Sequence, residues 1–339
     1  MNHSTKECLY HIINRQDEIL IIDVSNYLYR YVWAYRDLSI DINGSNVQIG
    51  HIYGFLRFVT SLYRTFNNPS IILALDGCDL SRREINSNYK SNREKSSDVK
   101  SLIKSTTDDI LSMLKLLPSV YSCYDSSFEA DDCIGSIANS VSSLCCKNKI
   151  NKNVYIMSND KDMYQLVRDN AYAKVNIIRK LVSGRCWRDK SEIVNEEVVR
   201  DTFNGVSPTD LVKFRSIVGD SSDNLKGYYR FLKSKASDIA TNFEYSLQDN
   251  RLVQKDGSLV CKDILEKYLP IINSNFHIFE SNYKIMKIKD FDYEISPISS
   301  NCSCEDINNS LSLIKLYRLN EFFNFCKFIS PYRDIIVNS

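Results

Sequence analysis

Short apolar segments that run directly into aspartates constrain the fold of this chain most strongly. The segments are residues 19–22 before Asp23, residues 71–75 before Asp76, and residues 154–157 before Asp160 and Asp162. Continuous apolar runs, rather than alternating ones, are typical of strands buried on both faces, as in a parallel sheet. Helical patterns separate them, for example at residues 50–66. The sequence therefore predicts an α/β domain with a largely parallel central sheet and helices on both faces.

Two weaker strand patterns complete the predicted sheet. One covers residues 120–124, and the other covers residues 171–178 and is expected to pair with a hairpin that turns at Ser183 and Gly184. Because the carboxyl ends of parallel strands meet at one edge, Asp23, Asp76 and the Asp160–Asp162 pair are expected to converge there.

Overall composition is ordinary and restricts function only by exclusion. The chain has 339 residues and a formal charge of +1, so any nucleic-acid footprint must be local. Eleven scattered cysteines without a C-x-x-C pair, and only four histidines, argue against a zinc site or a disulfide framework. No apolar run is long enough to span a bilayer, and the N-terminus lacks the pattern of a signal peptide. A cytoplasmic protein without membrane contact is expected.

A group of acids lies at the start of a predicted helix, in the segment Phe128-Glu129-Ala130-Asp131-Asp132. Taken alone, acids at this position complement the helix dipole and cap free amides. Two further aspartates, Asp220 and Asp223, follow a helix that begins at Ser207-Pro208 and ends at Gly219. Their position beside the strand-end acids would favour a second interpretation, which is metal binding.

Nine carboxylates at one edge would repel one another unless cations neutralise them. Oxygen ligands without His or Cys indicate a hard ion, Mg²⁺ or Mn²⁺. So many acids predict two ions, roughly 3.5–4 Å apart, the arrangement used for in-line displacement at phosphorus. Calcium storage is the competing interpretation, but the chain has no D-x-[DN]-x-[DN]-G loop.

A polar segment, residues 81–104, carries seven basic and three acidic side chains. It is either a solvated loop or an arm that becomes ordered on a polyanion. We expect Arg82 and Arg83 within it to contact nucleic acid.

The acid-bearing motifs, in their order, resemble those of the flap endonuclease/5′–3′ exonuclease superfamily. The chain is most similar to its bacterial and bacteriophage branch, which includes the 5′-nuclease domain of bacterial DNA polymerase I. The motifs are Ile22-Asp23-Val24-Ser25-Asn26 with Arg30, Leu75-Asp76, Tyr89-Lys90 with Arg93, Glu129-Ala130-Asp131-Asp132, Ser158 with Asp160 and Asp162, and Gly219-Asp220 with Asp223-Asn224. The resemblance covers about residues 19–227 and implies a PIN-like or resolvase-like core with a helical arch.

The resemblance also implies roles for individual residues. Ligands of the first metal would be Asp76, Glu129 and Asp131, adjoined through water by Asp23 and Asp132. Ligands of the second would be Asp160, Asp162, Asp220 and Asp223. Lys90 and Arg93 would be catalytic and engage the scissile phosphate, where a cation offsets developing charge. Tyr89 would stack on a base, and Arg30 would contact DNA.

One departure concerns the helix–hairpin–helix that usually follows in this family. The first glycine, Gly227, is present, but the Gly-Ile-Gly hairpin is replaced by Arg230-Phe231-Leu232. Only glycine allows the backbone to approach phosphate so closely at positive φ, so a K⁺ site is doubtful. Side-chain contacts to DNA are expected instead from Lys226, Arg230, Lys233 and Lys235; a plain amphipathic connector is the alternative.

The predicted organisation is an N-terminal extension (1–18), a nuclease core (19–205) with an arch insertion at about 81–118, and a helical part (206–339). The last would begin with a degenerate helix–hairpin–helix at 206–240. The predicted function is a structure-specific, two-metal-ion 5′-nuclease. It would act as a monomer on DNA with a 5′ flap, a nick or a 5′ end, or on RNA-primed duplex, and would leave a 5′-phosphate and a 3′-hydroxyl in primer removal, replication or repair. The alternatives are a PIN-type ribonuclease and a catalytically inactive, structure-specific DNA-binding protein.

Overall fold

The computed structural model describes residues 2–15, 18–91, 97–180, 191–228, 232–246, 248–249, 251–299 and 302–337. Strands within these ranges are β1 (Ile19–Asp23), β2 (Ser39–Ile42), β3 (Ser45–Gln48), β4 (Ser70–Ala74), β5 (Val120–Cys123), β6 (Lys152–Met157), β7 (Arg168–Asp169), β8 (Ala173–Lys180), β9 (Ser191–Val194), β10 (Gly219–Asp220), β11 (Leu225–Lys226), β12 (Phe243–Ser246), β13 (Arg251–Gln254) and β14 (Ile295–Pro297).

The helices in the same ranges are α1 (His3–Asn14), α2 (Val24–Ala34), α3 (Gly50–Phe66), α4 (Ser81–Ile85), α5 (Ser97–Leu114), α6 (Ala130–Asn148), α7 (Glu196–Thr202), α8 (Leu211–Val218), α9 (Lys233–Asn242), α10 (Leu269–Ser274), α11 (Phe276–Met286), α12 (Cys304–Leu316), α13 (Asn320–Ile329) and α14 (Arg333–Val337). Short 3-10 segments cover Lys161–Leu166 and Pro208–Asp210, and a π-helical turn covers Ile264–Tyr268. No helix of the described part of the chain is long and apolar enough to cross a membrane.

The central sheet has the strand order β14-β5-β4-β1-β6-β8-β7, and β9 also pairs with β8. Its five inner strands, from β5 to β8, are mutually parallel. Antiparallel strands lie at both ends, where β14 pairs with β5 and where β7 and β9 pair with β8. The predicted largely parallel α/β fold is confirmed. The predicted turn at Ser183 and Gly184 lies outside the described residues.

The apolar composition of β1 follows from burial on both faces of the sheet. Ile19 and Ile21 face one core, with α1 and α6, whereas Leu20 and Ile22 face the other, with α2, α3, α5 and α12. All four side chains are fully buried. A strand in this position has no solvated face, so it has no alternating polar residues.

Helix α1 and strand β14 pack into the core on the α6 side of the sheet. Helix α1 buries Leu9, Ile12 and Ile13, and the Thr5 hydroxyl oxygen accepts a hydrogen bond of 3.2 Å from the backbone N–H of Ile295 in β14. The predicted N-terminal extension thus carries a helix that covers one end of the sheet, and β14, which we did not predict, joins the sheet next to it.

The basic segment is helical on both sides of the undescribed residues 92–96. Its second half is α5, whose Ile110, Met113 and Leu114 are buried in the core shared with α2 and α12. A buried hydrogen bond of 2.8 Å joins His51 Nε2 to Thr106 Oγ1 and ties α5 to α3. The described part of the predicted arch is therefore anchored through α5.

Candidate metal centre

The first acids of the centre are placed by the ends of β1 and β4. Asp23 ends β1 and caps α2, accepting a 3.0 Å hydrogen bond from the backbone N–H of Asn26. Asp76 follows β4 and accepts a 2.9 Å hydrogen bond from the backbone N–H of Ala130, the first residue of α6. Asp76 thereby satisfies a free amide of α6 and fixes the helix start beside the sheet edge.

Close backbone approach at Gly77 explains how the two segments meet. The Gly77 N–H donates to the carbonyl of Phe128 at 2.9 Å. A Cβ atom at Gly77 would lie 1.9 Å from the carbonyl oxygen of Asp125, far inside van der Waals contact. Only glycine fits here, and its presence lets Asp76 reach Ala130.

Asp23 and Asp131 are carboxyl groups whose charged forms are disfavoured by burial and by neighbouring acids. Asp23 is only 5% exposed and accepts a 3.0 Å hydrogen bond from the Ser158 hydroxyl. Burial, followed by the charges of Asp76 and Asp160, raises the Asp23 pKa to about 7. Burial together with Asp160 and Asp23 also raises the Asp131 pKa well above its ordinary value. Such groups gain from a neighbouring cation, because it restores their charged form.

A second group of acids comes from the 3-10 segment after β6 and from the turn between β10 and β11. Asp162, Asp220 and Asp223 each present a carboxylate oxygen within 4.8 Å of the others. Burial raises the Asp162 pKa to about 7, with Asp160, Asp223 and Asp220 adding to the effect against the opposing charge of Arg215.

Arg215 on α8 is a cation that contacts two acids of this second group. Its Nη1 lies 2.8 Å from Asp162 Oδ1, and its Nη2 hydrogen bonds to Asp220. The Nη1 contact lacks hydrogen-bond geometry, so Asp162 Oδ1 is a buried acceptor without a donor among the described residues. An oxygen of this kind, in a set of carboxylates without nitrogen or sulfur ligands, fits a hard divalent cation.

Two glycines hold the turn that carries Asp220 and Asp223. Gly219 ends α8 with φ +80°, and an added Cβ would lie 2.3 Å from the backbone nitrogen of Gly227. At Gly227 an added Cβ would lie 1.9 Å from the carbonyl oxygen of Val218. The glycine retained from the helix–hairpin–helix motif therefore serves this close chain crossing.

Lys90 connects the two acid groups. Its Nζ lies 2.9 Å from both carboxylate oxygens of Glu129, and its backbone N–H donates to the carbonyl of Asp223 at 3.1 Å. Burial favours loss of the Lys90 charge, but Glu129, Tyr89 and Asp131 together outweigh this effect and raise the pKa of Lys90. In return, Lys90 and Arg82 outweigh burial and hold the Glu129 pKa below its ordinary value. The Lys90 side chain is therefore a fixed cation at the centre.

Tyr89 packs beneath this cation rather than on the surface. The ring is 6% exposed, lies 4.9 Å from Lys90 Nζ and packs with Val212, Leu225 and Ile285. Its hydroxyl donates to Glu129 at 3.4 Å. The burial does not fit the predicted stacking of Tyr89 on a base; the structure gives it a packing role at the base of the arch.

Arg82 and Asp132 form a buried ion pair, instead of the predicted DNA contact and metal site. Arg82 is 2% exposed, so it does not fit the predicted contact with nucleic acid. Its guanidinium forms a bidentate pair with Asp132, at 2.7 and 2.9 Å, and also contacts Glu129 at 2.8 Å. Asp132 is fully buried and takes a further hydrogen bond of 2.8 Å from the Lys289 backbone N–H. Asp132 is ion-paired and its side chain is fully buried, so it is not part of the open metal edge, whereas the ion-paired Glu129 side chain is 18% exposed.

The other basic residues that were predicted to act on DNA fall into two groups, those outside and those within the described residues. Arg93 and Arg230 lie outside the described residues. The other basic side chains are at least partly accessible: Arg83, Lys226 and Lys233 are exposed, whereas Arg30 and Lys235 are half-buried. Their roles toward DNA stay predictions.

Sequence reasoning missed Arg215 and Lys289. Arg215 lies among apolar residues five positions before Asp220, a spacing that could have indicated an ion pair across the end of α8. The Lys289 Nζ lies 2.5 Å from both Asp79 and the Ser81 hydroxyl, although it is about 210 positions away in the chain. No local sequence pattern predicts a contact between residues so far apart in the chain.

The fold and this edge define a class, the acid-edged α/β nucleases. A family model described as the 5′-3′ exonuclease, N-terminal resolvase-like domain, matches residues 18–204, more than half of the chain. The chain belongs to this family, and it is a nuclease.

Named relatives agree with this assignment. The 5′-3′ exonuclease of Buchnera aphidicola (strain APS) is 26% identical over 81% of this chain and 87% of its own length. The 5′-3′ exonuclease of Aquifex aeolicus is 26% identical over 86% and 88%. Among solved structures, the bacteriophage T5 flap endonuclease in a pseudo-enzyme-product complex with DNA and metal ions superposes with a TM-score of 0.55, at 16% identity, over 94% of this chain and 99% of that one. The T5 5′-exonuclease with bound zinc gives a TM-score of 0.56. These superpositions show a shared fold.

Proposed function

We propose that this nuclease is a metal-dependent, structure-specific 5′-nuclease. It hydrolyses phosphodiesters near the 5′ end of flap or nicked DNA and leaves a 5′-phosphate and a 3′-hydroxyl. The observation that carries the proposal is the position of Lys90, which pairs with Glu129 of the first acid group and binds the backbone of Asp223 in the second. A phosphodiester between the two groups would meet carboxylates on both sides and a fixed cation.

Two Mg²⁺ or Mn²⁺ ions fit the carboxylates at this edge. Asp76, Glu129 and Asp131, adjoined by Asp23, would hold the first, and Asp160, Asp162, Asp220 and Asp223 would hold the second. When bound, such ions supply a water-derived nucleophile near neutral pH and stabilise the leaving oxygen. The buried Asp162 oxygen without a donor, and the raised pKa values of Asp23 and Asp131, support this assignment.

The side chains of this protein would perform the remaining tasks. Lys90 would stabilise charge on the scissile phosphate, since a cation fixed in advance does not need to reorganise during reaction. For Lys90 to do so, phosphate must share the ammonium group with Glu129. The described basic residues outside the centre, including Arg30, Arg83, Lys226, Lys233 and Lys235, would hold the DNA through its phosphates.

The direct test is cleavage of a labelled panel: 5′ flap, nick, blunt duplex, RNA-primed duplex and single-stranded RNA, with Mg²⁺ and with EDTA. We expect Mg²⁺-dependent cleavage of flap and nicked DNA, with products that a ligase can join because they carry a 5′-phosphate. Asp160→Asn should abolish cleavage and retain DNA binding. Asp169→Asn, an exposed acid on β7, is the control and should cleave normally. Preferred cleavage of the single-stranded RNA would instead indicate a PIN-type ribonuclease. Binding of DNA without cleavage would indicate an inactive DNA-binding protein.

A further inference from the structure

A cavity of about 650 Å³ lies between α3 and the turn that joins α12 to α13, away from the acid edge. We name it the arginine–tyrosine pocket, after the side chains that line it. These include Tyr35, Tyr53, Arg57, Arg64, Arg318 and Asn320. Helix α3 ends just before β4 begins, whereas Asp76 follows the far end of β4. The Arg64 end of the pocket is therefore near the sheet edge opposite the metal centre.

Helical spacing aligns the basic residues of the pocket. Tyr53, Arg57 and Arg64 stand at intervals of four and seven residues, so they share one face of α3. At 1.5 Å per residue, Arg57 and Arg64 are roughly 10 Å apart along the helix axis. Arg318 faces them from the α12–α13 turn.

Aromatic rings hold two of these arginines at the surface. The Arg57 guanidinium lies 5.9 Å from the Tyr53 ring centre and donates to the Tyr53 hydroxyl at 3.2 Å. The Arg64 guanidinium lies 5.4 Å from the Phe325 ring centre. Both arginines are exposed, and Glu321 is the acid that lines the same pocket. The pocket therefore carries an excess of positive charge on pre-positioned, planar donor groups.

This combination matches the chemistry of a nucleotide unit. Guanidinium groups bind phosphate oxygens through paired N–H donors. The half-buried rings of Tyr35 and Tyr53 supply aromatic surface beside the arginines, and Asn320 adds a polar group for a base or sugar. The volume is within the range of pockets that take small molecules, and it exceeds what a phosphate alone requires. An acidic peptide would match the charge alone, whereas a nucleotide unit would also use the aromatic and amide groups beside the arginines.

We propose that the arginine–tyrosine pocket binds a nucleotide unit, phosphate together with base, of a DNA strand at a point remote from the metal centre. The proposal rests on the proposed function, because it assumes that DNA is the substrate. It adds a second recognition site, on the α3 side of the fold, for a part of the substrate that is not cleaved.

The test uses the full chain and two double variants. Arg57→Gln with Arg64→Gln removes two positive charges from the pocket, on side chains whose helix propensity is preserved. Arg200→Gln with Lys174→Gln removes two exposed charges on α7 and β8 and is the matched control. Thermal unfolding and circular dichroism would establish that both are folded. Binding of labelled 5′-flap DNA, nicked duplex and single-stranded DNA would be measured by fluorescence anisotropy in EDTA, between 50 and 200 mM NaCl.

We expect the pocket variant to bind flap DNA about tenfold more weakly at about 0.1 M salt, with a slope of log K against log salt reduced by roughly one to two. The control should keep the slope of the wild type. If deoxyadenosine monophosphate competes with labelled flap DNA for the wild type but not for the pocket variant, the free nucleotide also enters the pocket. If only a DNA strand competes, the ligand of the pocket is a nucleotide unit within DNA.

An unchanged slope and Kd in the pocket variant would overturn the proposal, as would retention of an acidic peptide that DNA does not displace. Cleavage of the same flap DNA by the wild type in Mg²⁺ distinguishes failure of the pocket proposal from failure of the proposed function. If the wild type cleaves and the variant binds normally, only the pocket assignment fails. If the wild type cleaves no DNA, the proposed function fails first.

Discussion

The guanidinium of Arg82 donates to both carboxylate oxygens of Asp132, at 2.7 and 2.9 Å, and the pair is shielded from solvent. The same guanidinium reaches Glu129 at 2.8 Å and donates through Nε to the carbonyl of Ile285 at 3.0 Å. One buried arginine thus joins the base of the arch, the start of α6 and the end of α11. Glu129 is positioned through this network and not by the local helix geometry alone.

Substitution of Arg82 is expected to destabilise the protein. Arg82→Leu leaves Asp132 buried without a counter-ion, and breaking such a pair typically costs about 3–5 kcal/mol in the free energy of unfolding. Urea denaturation, monitored by circular dichroism, measures this loss in the free energy of unfolding. Arg83→Leu, one residue along the same helix but exposed, should stay within about 0.5 kcal/mol of the wild type. The double variant Arg82→Leu/Asp132→Leu should recover part of the loss, and a double variant no more stable than Arg82→Leu would refute the pairing as the cause.

Substitution of Lys90 is expected to impair catalysis more than binding. Lys90→Gln removes the fixed cation from Glu129 and from the proposed phosphate position, and loss of one such group typically lowers kcat by about 10²–10³. Single-turnover cleavage of a 5′-flap substrate measures this step. Arg83→Gln is the control, because it removes a nearby exposed charge and should change Kd with little change in the single-turnover rate. Equal effects of the two substitutions would argue against a specific role for Lys90.

Arg215 is expected to compete with a divalent ion for the second acid group. Arg215→Gln exposes Asp162, Asp220 and Asp223 to mutual repulsion, so the metal-free variant should have a Tm lower by a few degrees. Addition of Mg²⁺ should raise the Tm of the variant more than that of the wild type, because no guanidinium must be displaced. Differential scanning fluorimetry in EDTA and in a Mg²⁺ series measures both effects. A variant with a wild-type Mg²⁺ response would show that the ion does not bind where Arg215 lies.

The pKa values near 7 predict a specific dependence on pH. Asp23 and Asp162 have pKa values of about 7 in the folded, metal-free protein, against an ordinary value of 3.8. Between pH 4 and 7 these two carboxyl groups therefore bind more protons in the folded protein than in the unfolded chain, and their contribution to the free energy of unfolding decreases as the pH rises. Mg²⁺ affinity should increase over the same interval, because protons compete for the same oxygens.

Urea denaturation at several pH values, with EDTA and with Mg²⁺, checks this expectation. Asp23→Asn has no titrating group at this position and should show a flatter decline of stability in EDTA. Asp169→Asn, an exposed acid, should keep the wild-type profile. Identical pH profiles of metal-free stability for Asp23→Asn and the wild type would contradict the assignment.

Much of the fold could be predicted because its signals are local. The apolar runs in β1, β4 and β6 are continuous because these strands lie inside the sheet, and an acid ends β1 or follows β4 and β6 within three residues. The start of the helical segment at Ser207 and Pro208 was also predicted correctly. By contrast, β14 is three residues long and has a proline at its end, so it gives no strand pattern. It becomes a strand only because the exposed edge of β5 is available for pairing.

The same distinction applies to the candidate metal centre. Sequence alone determined which acids end parallel strands and open α6, because strand direction and helix capping place them at one sheet edge. Only the tertiary structure decided that Asp132 pairs with Arg82, that Tyr89 is buried, and that Arg215 pairs with Asp162 and Asp220 of the second acid group. The physical reason is that an ion pair depends on distance and burial, and these are set by residues far apart in the chain, such as Arg82, Ile285 and Lys289.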